Sequence, residues 1–221
     1  MKTWITLVVL IIAFVNASLG SILTDEERTI MDFKVPEEVK KDFPYYLSGY
    51  DKSGAPIWIW PLGRWEIRKW VGKGGEDLKN VETYANQMFL RFRLSTSPGN
   101  LTEVNNVERA GFICIADLDG FPVRKITHAP TLKFTLSLIQ EWAASIKAVD
   151  VKTVFIINAN SIFMTLWDLS KSLLGDMNKI IQTHGNNRAN WKVQLRQHIP
   201  QDQLPEIYGG DKMHKFVQVY G

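Results

Sequence analysis

Between Glu76 and Leu94 the larger apolar residues fall at Leu78, Val81, Tyr84, Ala85, Met88, Phe89 and Phe92, the three-and-four spacing of an amphipathic helix. A second such stretch starts at Pro130, with Leu132, Leu136, Ile139, Trp142, Ala143 and Ile146 as its expected buried stripe. Elsewhere the pattern changes. Gly111 to Leu118 and Val151 to Asn158 are short, nearly unbroken apolar runs, which suit strands covered on both faces. Pro56 to Pro61 predicts a strand bounded by prolines, and Lys179 to Thr183 a shorter one. Ser161 to Leu174 and Asn187 to His198 predict helices, and Leu204 to Gly210 a compact turn. The polar stretch 21 to 44 carries two short helix starts, at Thr24-Asp25-Glu26-Glu27 and at Pro36-Glu37-Glu38. Apolar strands alternating with helices imply an α/β fold with a mainly parallel sheet and right-handed crossovers.

The first twenty residues follow another logic. Met1-Lys2 gives a short positive start, Trp4 to Val15 is uninterrupted and mostly apolar, and Ala17, Ser18 and Gly20 are small. This is the layout of a signal peptide, with an apolar core of about a dozen residues against the roughly 20 needed to span a bilayer. Residues 1 to 20 are therefore expected to be a cleaved leader, 21 to 34 an amino-terminal segment, and 35 to 221 the folded domain. Secretion follows, and it makes Asn100-Leu101-Thr102, placed after Ser97-Pro98-Gly99, an expected glycosylation site at Asn100.

Composition narrows the chemistry. A net charge of +3 on 221 residues gives no basic footprint for nucleic acid. The single cysteine, Cys114, lies in an apolar run where a thiol acts as a small hydrophobe. The four histidines are dispersed without metal-ligand spacing. Gly72-Lys73-Gly74-Gly75 lacks the ending of a phosphate loop, and there is no Gly-x-Ser-x-Gly elbow or dinucleotide fingerprint. Asp117-Leu118-Asp119-Gly120 lacks the glycine and glutamate positions of a calcium loop and reads as a strand-end turn. No catalytic residue, metal or cofactor is expected.

Ser161 to Leu174 is unusually apolar. On a helical wheel Ile162, Leu166, Leu169 and Leu173 form one stripe, and Phe163, Trp167 and Leu174 an adjacent one. One stripe suffices to pack on a sheet, so the second is expected to meet more protein, an apolar ligand or a membrane surface.

Five ordered blocks resemble the lipid-binding domain of the Sec14-like, or CRAL-TRIO, family, in particular its animal members. They are Asp51-Lys52-Ser53-Gly54-Ala55-Pro56-Ile57-Trp58, Ala116-Asp117-Leu118-Asp119-Gly120-Phe121, Phe155-Ile156-Ile157-Asn158-Ala159, Lys179-Ile180-Ile181, and Leu204-Pro205-Glu206-Ile207-Tyr208-Gly209-Gly210. The resemblance implies a sheet flooring an apolar pocket that holds one phospholipid or other small lipid. It also implies a gate helix at Ser161 to Leu174 that opens transiently at a membrane surface. The lining it implies is Phe112, Cys114, Ala116 and Ile156 on the floor, Phe163, Leu166, Trp167 and Leu169 on the gate, with Ile180, and Lys179 near a headgroup. Three departures accompany it. The glutamate that partners the lysine in phosphatidylinositol-binding members falls on Val149. Phe112 and Cys114 replace floor hydroxyls of phosphatidylcholine-binding members, and Asn160 stands where the family usually has proline. The expected function is lipid carriage or transfer, with a pocket-filled protein-interaction module as the alternative.

Overall fold

The computed structural model describes residues 23–96, 111–122, 127–146 and 150–221. The expected leader, Asn100 and Val149 lie outside them. The chain divides into two compact units, 1–34 and 35–221. In the first, helix α1 (Asp25–Asp32) starts at a capping box: Thr24 Oγ1 accepts from the Glu27 amide, and Glu27 Oε2 accepts from the Thr24 amide.

The second unit is a six-stranded sheet with helices on both faces. Its strands are β1 (Tyr45–Tyr50), β2 (Pro56–Trp60), β3 (Phe112–Asp117), β4 (Val151–Ile157), β5 (Ile181–Thr183) and β6 (Gln218–Tyr220), in the spatial order β5-β4-β3-β2-β1-β6. β2 to β5 run parallel, while β1 is antiparallel to both of its neighbours. The helices are α2 (Glu37–Asp42), α3 (Ile67–Lys73), α4 (Gly75–Leu94), α5 (Ala129–Ser145), α6 (Ser161–Leu174) and α7 (Arg188–His198).

Strict alternation along the parallel strands divides the core in two. Trp58, Phe112, Cys114, Ala116, Val154 and Ile156 join one apolar body with the inner residues of α2 to α6. Ile57, Ile59, Ile113, Ile115, Phe155 and Ile157 point the other way, onto Trp191 and Leu195 of α7 with Ile199, Leu204 and Tyr208. Phe112 and Cys114 thus share a face that Ile113 and Ile115 do not, as period-two alternation requires.

Several expectations need correction. β1, β6 and α3 do not stand out in the sequence. Ser48 is skipped in the β1–β2 register, where pairing shifts between Leu47 and Gly49, so β1 is bulged and its apolar rhythm broken. The strand expected from Lys179 is only Ile181–Thr183, because Gly175–Ile180 forms a 3-10 turn that includes Lys179. In α5 the buried residues are Thr131, Phe134, Leu138 and Trp142, whereas Leu132, Leu136, Ile139 and Ala143 are only partly buried. That helix packs against α3, α4 and α6, so its single expected stripe is spread over several contacts.

Candidate functional site: an apolar floor, its roof helix and a polar clamp

The floor is built by register. Trp58 pairs with Cys114 and Cys114 with Val154; one step along, Trp60 pairs with Ala116 and Ala116 with Ile156. Paired residues on adjacent strands project to the same face, so these rows form a continuous apolar surface. Phe112 extends it at one end, with the Phe92 ring of α4 at 5.4 Å. Cys114 is enclosed, and burial pushes its thiol up to about 12, which leaves it without thiolate character at neutral pH.

Helix α6 covers this body. Phe163, Leu166, Trp167 and Leu174 are buried in it, and the Phe163 and Trp167 rings stack at 6.2 Å. Leu169, by contrast, is 52% exposed on the outer side. The helix start is fixed by Asn160, whose Oδ1 accepts from the Phe163 amide at 2.8 Å and whose Nδ2 donates to the Phe121 carbonyl at 3.2 Å. An N-cap asparagine thus begins the helix. The other end stops at Gly175, with φ of +50°, and Asn178 Nδ2 donates to the Lys171 carbonyl at 2.7 Å.

The structure brings Phe112, Cys114, Ala116, Ile156, Phe163, Leu166 and Trp167 into one apolar body, with Ile180 packed partly buried against it. It does not bring Leu169 or Lys179 there. Lys179 is exposed and pairs with Asp176 at 2.7 Å, and that carboxylate holds the ammonium above its ordinary range.

A buried polar clamp closes the carboxyl ends of β3 and β4. Asn158 Nδ2 donates to Asp117 Oδ1 at 2.7 Å, and the Tyr208 hydroxyl donates to Asp117 Oδ2 at 2.9 Å. The Trp191 indole donates to Asn158 Oδ1 at 3.2 Å, and the Asp119 amide to Asp117 Oδ1 at 2.9 Å. Burial, with the neighbouring Asp117 carboxylate, pushes the Tyr208 phenol well above its usual range. Asn158 adopts φ of +57°, a left-handed conformation that asparagine tolerates better than most residues. Gly210 follows from the same closure, since a Cβ there would stand 1.8 Å from the Leu204 carbonyl oxygen. Asp117, Asn158 and the Tyr208 turn all fall within the sequence blocks that carry the family resemblance, and here they serve the fold.

Asp51 ties the β1–β2 turn to β4. Its Oδ1 accepts from the Ser53 amide at 2.8 Å and the Ala55 amide at 2.9 Å, while Oδ2 is paired with Lys152. Burial raises its pKa, but the Lys152 ammonium and these hydrogen bonds outweigh that and hold the carboxyl below the usual range. A cleft of about 600 Å³ lined by Asp51, Lys152, Arg196 and His198 opens beside this tie. Among the described residues no cluster of His, Cys, Asp or Glu is arranged to hold a metal ion.

A layered sheet with an apolar floor, a capped roof helix and a polar clamp at the strand ends defines a Sec14-like α/β fold. The profile of the CRAL/TRIO domain matches residues 40–210, and the chain belongs to that family. It is 28% identical over 195 residues to the phosphatidylinositol/phosphatidylcholine transfer protein SFH4 of Arabidopsis thaliana, covering 81% of this chain and 29% of that protein. It is 24% identical over 182 residues to protein real-time of Anopheles gambiae, covering 81% of this chain and 26% of that one. The chain therefore spans about a quarter to a third of the length of the curated relatives it matches. The crystal structure of Sfh5 superposes with a TM-score of 0.62 at 11% identity, covering 85% of this chain and 62% of that one. At that identity the likeness is one of fold.

Proposed function

We propose that this chain holds one lipid between the floor and α6 and exchanges it with membranes without covalent chemistry. The observation that carries the reading is the division of α6. Phe163, Leu166, Trp167 and Leu174 face the same apolar body as Phe112, Cys114 and Ala116, and Leu169 faces out. Such a helix separates an apolar interior from the surroundings and can present Leu169 to a bilayer. Transfer needs little net driving force, because an acyl methylene gains about 0.8 kcal/mol in either apolar environment. The name of the Arabidopsis relative, a phosphatidylinositol/phosphatidylcholine transfer protein, supports phospholipid as the cargo class. Lys179 offers an anionic headgroup a point charge, and Asp176 must release it first. The signal-peptide pattern supports secretion, with a glycan at Asn100.

Mass spectrometry of the intact protein and of its organic extract, joined to a vesicle transfer assay, tests the reading. One lipid per chain with measurable transfer is the expected result. An empty extract without transfer overturns it and favours the interaction-module alternative, which the burial of Phe112 and Trp167 would then explain. Amino-terminal sequencing of secreted material beginning near Ser21 checks the leader; Met1 retained rejects it.

A further inference from the structure

Six of the described tryptophans, all but Trp167, divide into two sets. Trp58 donates its indole N–H to Ser95 Oγ, Trp65 to the Pro44 carbonyl, Trp70 to Asp42 and Trp191 to Asn158, all between 2.7 and 3.2 Å. Trp60 and Trp142 also bury their indole nitrogens, yet neither has a hydrogen-bond partner. A buried N–H without an acceptor is a costly exception in a folded protein, and the fold satisfies the indole elsewhere in this same core.

The position of Trp60 gives the exception meaning. As the register partner of Ala116, it projects to the floor face at the end of the row that continues to Ile156. Its ring contacts are with Trp65 at 5.4 Å, Phe89 at 6.1 Å and Phe92 at 6.4 Å, none of which carries an acceptor oxygen. Trp142, 6% exposed on α5, belongs to the same apolar body. The side chains on β3 that share the floor, Phe112, Cys114 and Ala116, provide no hydroxyl.

We infer that Trp60 determines specificity for an acyl-ester lipid: its indole N–H donates to an ester carbonyl oxygen of a ligand lying over the floor beside Ala116, with Trp142 as the second available donor. The inference rests on the lipid-holding reading above and deepens it, from any apolar cargo to one with a carbonyl beside Trp60. A carbonyl is the better partner because an ether oxygen at the same site is a poorer acceptor. A pure hydrocarbon would leave the N–H unpaired.

The test compares 1,2-diacyl phosphatidylcholine with its 1,2-dialkyl ether analogue, matched in chain length and presented in vesicles, by uptake into the delipidated full chain. The wild type is expected to prefer the diacyl lipid by roughly five-fold, the size of one net hydrogen bond. Trp60→Phe is expected to lower uptake of the diacyl lipid to near that of the ether lipid, and so to lose most of that preference. If this variant does not fold, indole 15N–1H resonances of the wild-type chain supply the same answer. The Trp60 signal should shift downfield with the diacyl lipid and much less with the ether. Equal uptake of both lipids by the wild type, a preference untouched by Trp60→Phe, or an indole signal indifferent to the ester overturns the inference while leaving lipid holding intact. Uptake of neither lipid overturns both.

Discussion

The hydroxyl of Tyr208 donates to Oδ2 of Asp117 at 2.9 Å, joining residues 91 positions apart in the chain. The bond anchors the turn after α7 to the end of β3, on the face of the sheet away from α6. Tyr208→Phe keeps the ring packing and leaves one carboxylate oxygen without this partner. The expected loss is about 1–3 kcal/mol in urea or thermal unfolding, with lipid uptake by the folded fraction unchanged.

Asn158 combines two duties that substitution can separate. Asn158→Ala and Asn158→Gly both remove the bonds to Asp117 and Trp191, but only alanine must also be forced to φ of +57°. Glycine is therefore expected to be the milder variant by about 1 kcal/mol. Equal destabilisation of the two would show that the backbone at this position relaxes.

The two sides of α6 are expected to respond oppositely to charge. Trp167→Glu places a carboxylate among buried rings and should destabilise the fold by about 3 kcal/mol or more. Leu169→Glu, at an exposed position, should leave unfolding nearly unchanged and slow vesicle transfer, since a charge opposes insertion into the bilayer. Thermal melts and transfer rates measured on both variants check the pair.

Acid should loosen the tie between the β1–β2 turn and β4. The carboxyl of Asp51 is held below its ordinary range in the folded chain, so the unfolded chain takes up the proton first, at a pH of about 3.9. The resulting stabilisation is complete above about pH 5 and is lost as pH falls through the lower, folded value. Asp51→Asn is expected to flatten the stability profile below pH 5. An unchanged acid slope would show that the Lys152 pair makes no contribution.

Cys114 should be silent toward a thiol reagent at pH 8 in the native chain and react only when the sheet opens, because burial keeps its thiol protonated. Labelling that is fast without denaturant would contradict this.

The parts legible in the sequence are those whose local pattern matches their final environment. β3 and β4 are covered on both faces and read as continuous apolar runs, while α4, α6 and the Asn187 cap of α7 carry ordinary helix signals. β1 is hidden by Ser48-Gly49 at its bulge, and β6 is three mostly exposed residues whose strand character comes from pairing with β1. For the site, period-two alternation alone places Phe112, Cys114 and Ala116 together. No spacing reveals that Trp167 packs inward and Leu169 outward, since both lie in one broad apolar arc whose orientation is set by neighbouring helices. Nor does any local pattern reveal that Asp117 meets Tyr208, or that Trp60 lacks an acceptor, because both depend on chain brought from elsewhere.

The central sheet assigns its two faces to different tasks. Asp117, Asn158, Trp191 and Tyr208 form a bonded set in which each replacement leaves a partner stranded, whereas the other face presents Trp58, Phe112, Cys114, Ala116 and Ile156, joined mainly by shape and contact. Apolar surfaces accept exchanges of similar volume far more readily than hydrogen-bonded networks do. The apolar lining can therefore drift by substitutions on one side of β3 while residues one position away, on its reverse, remain bound to the architecture.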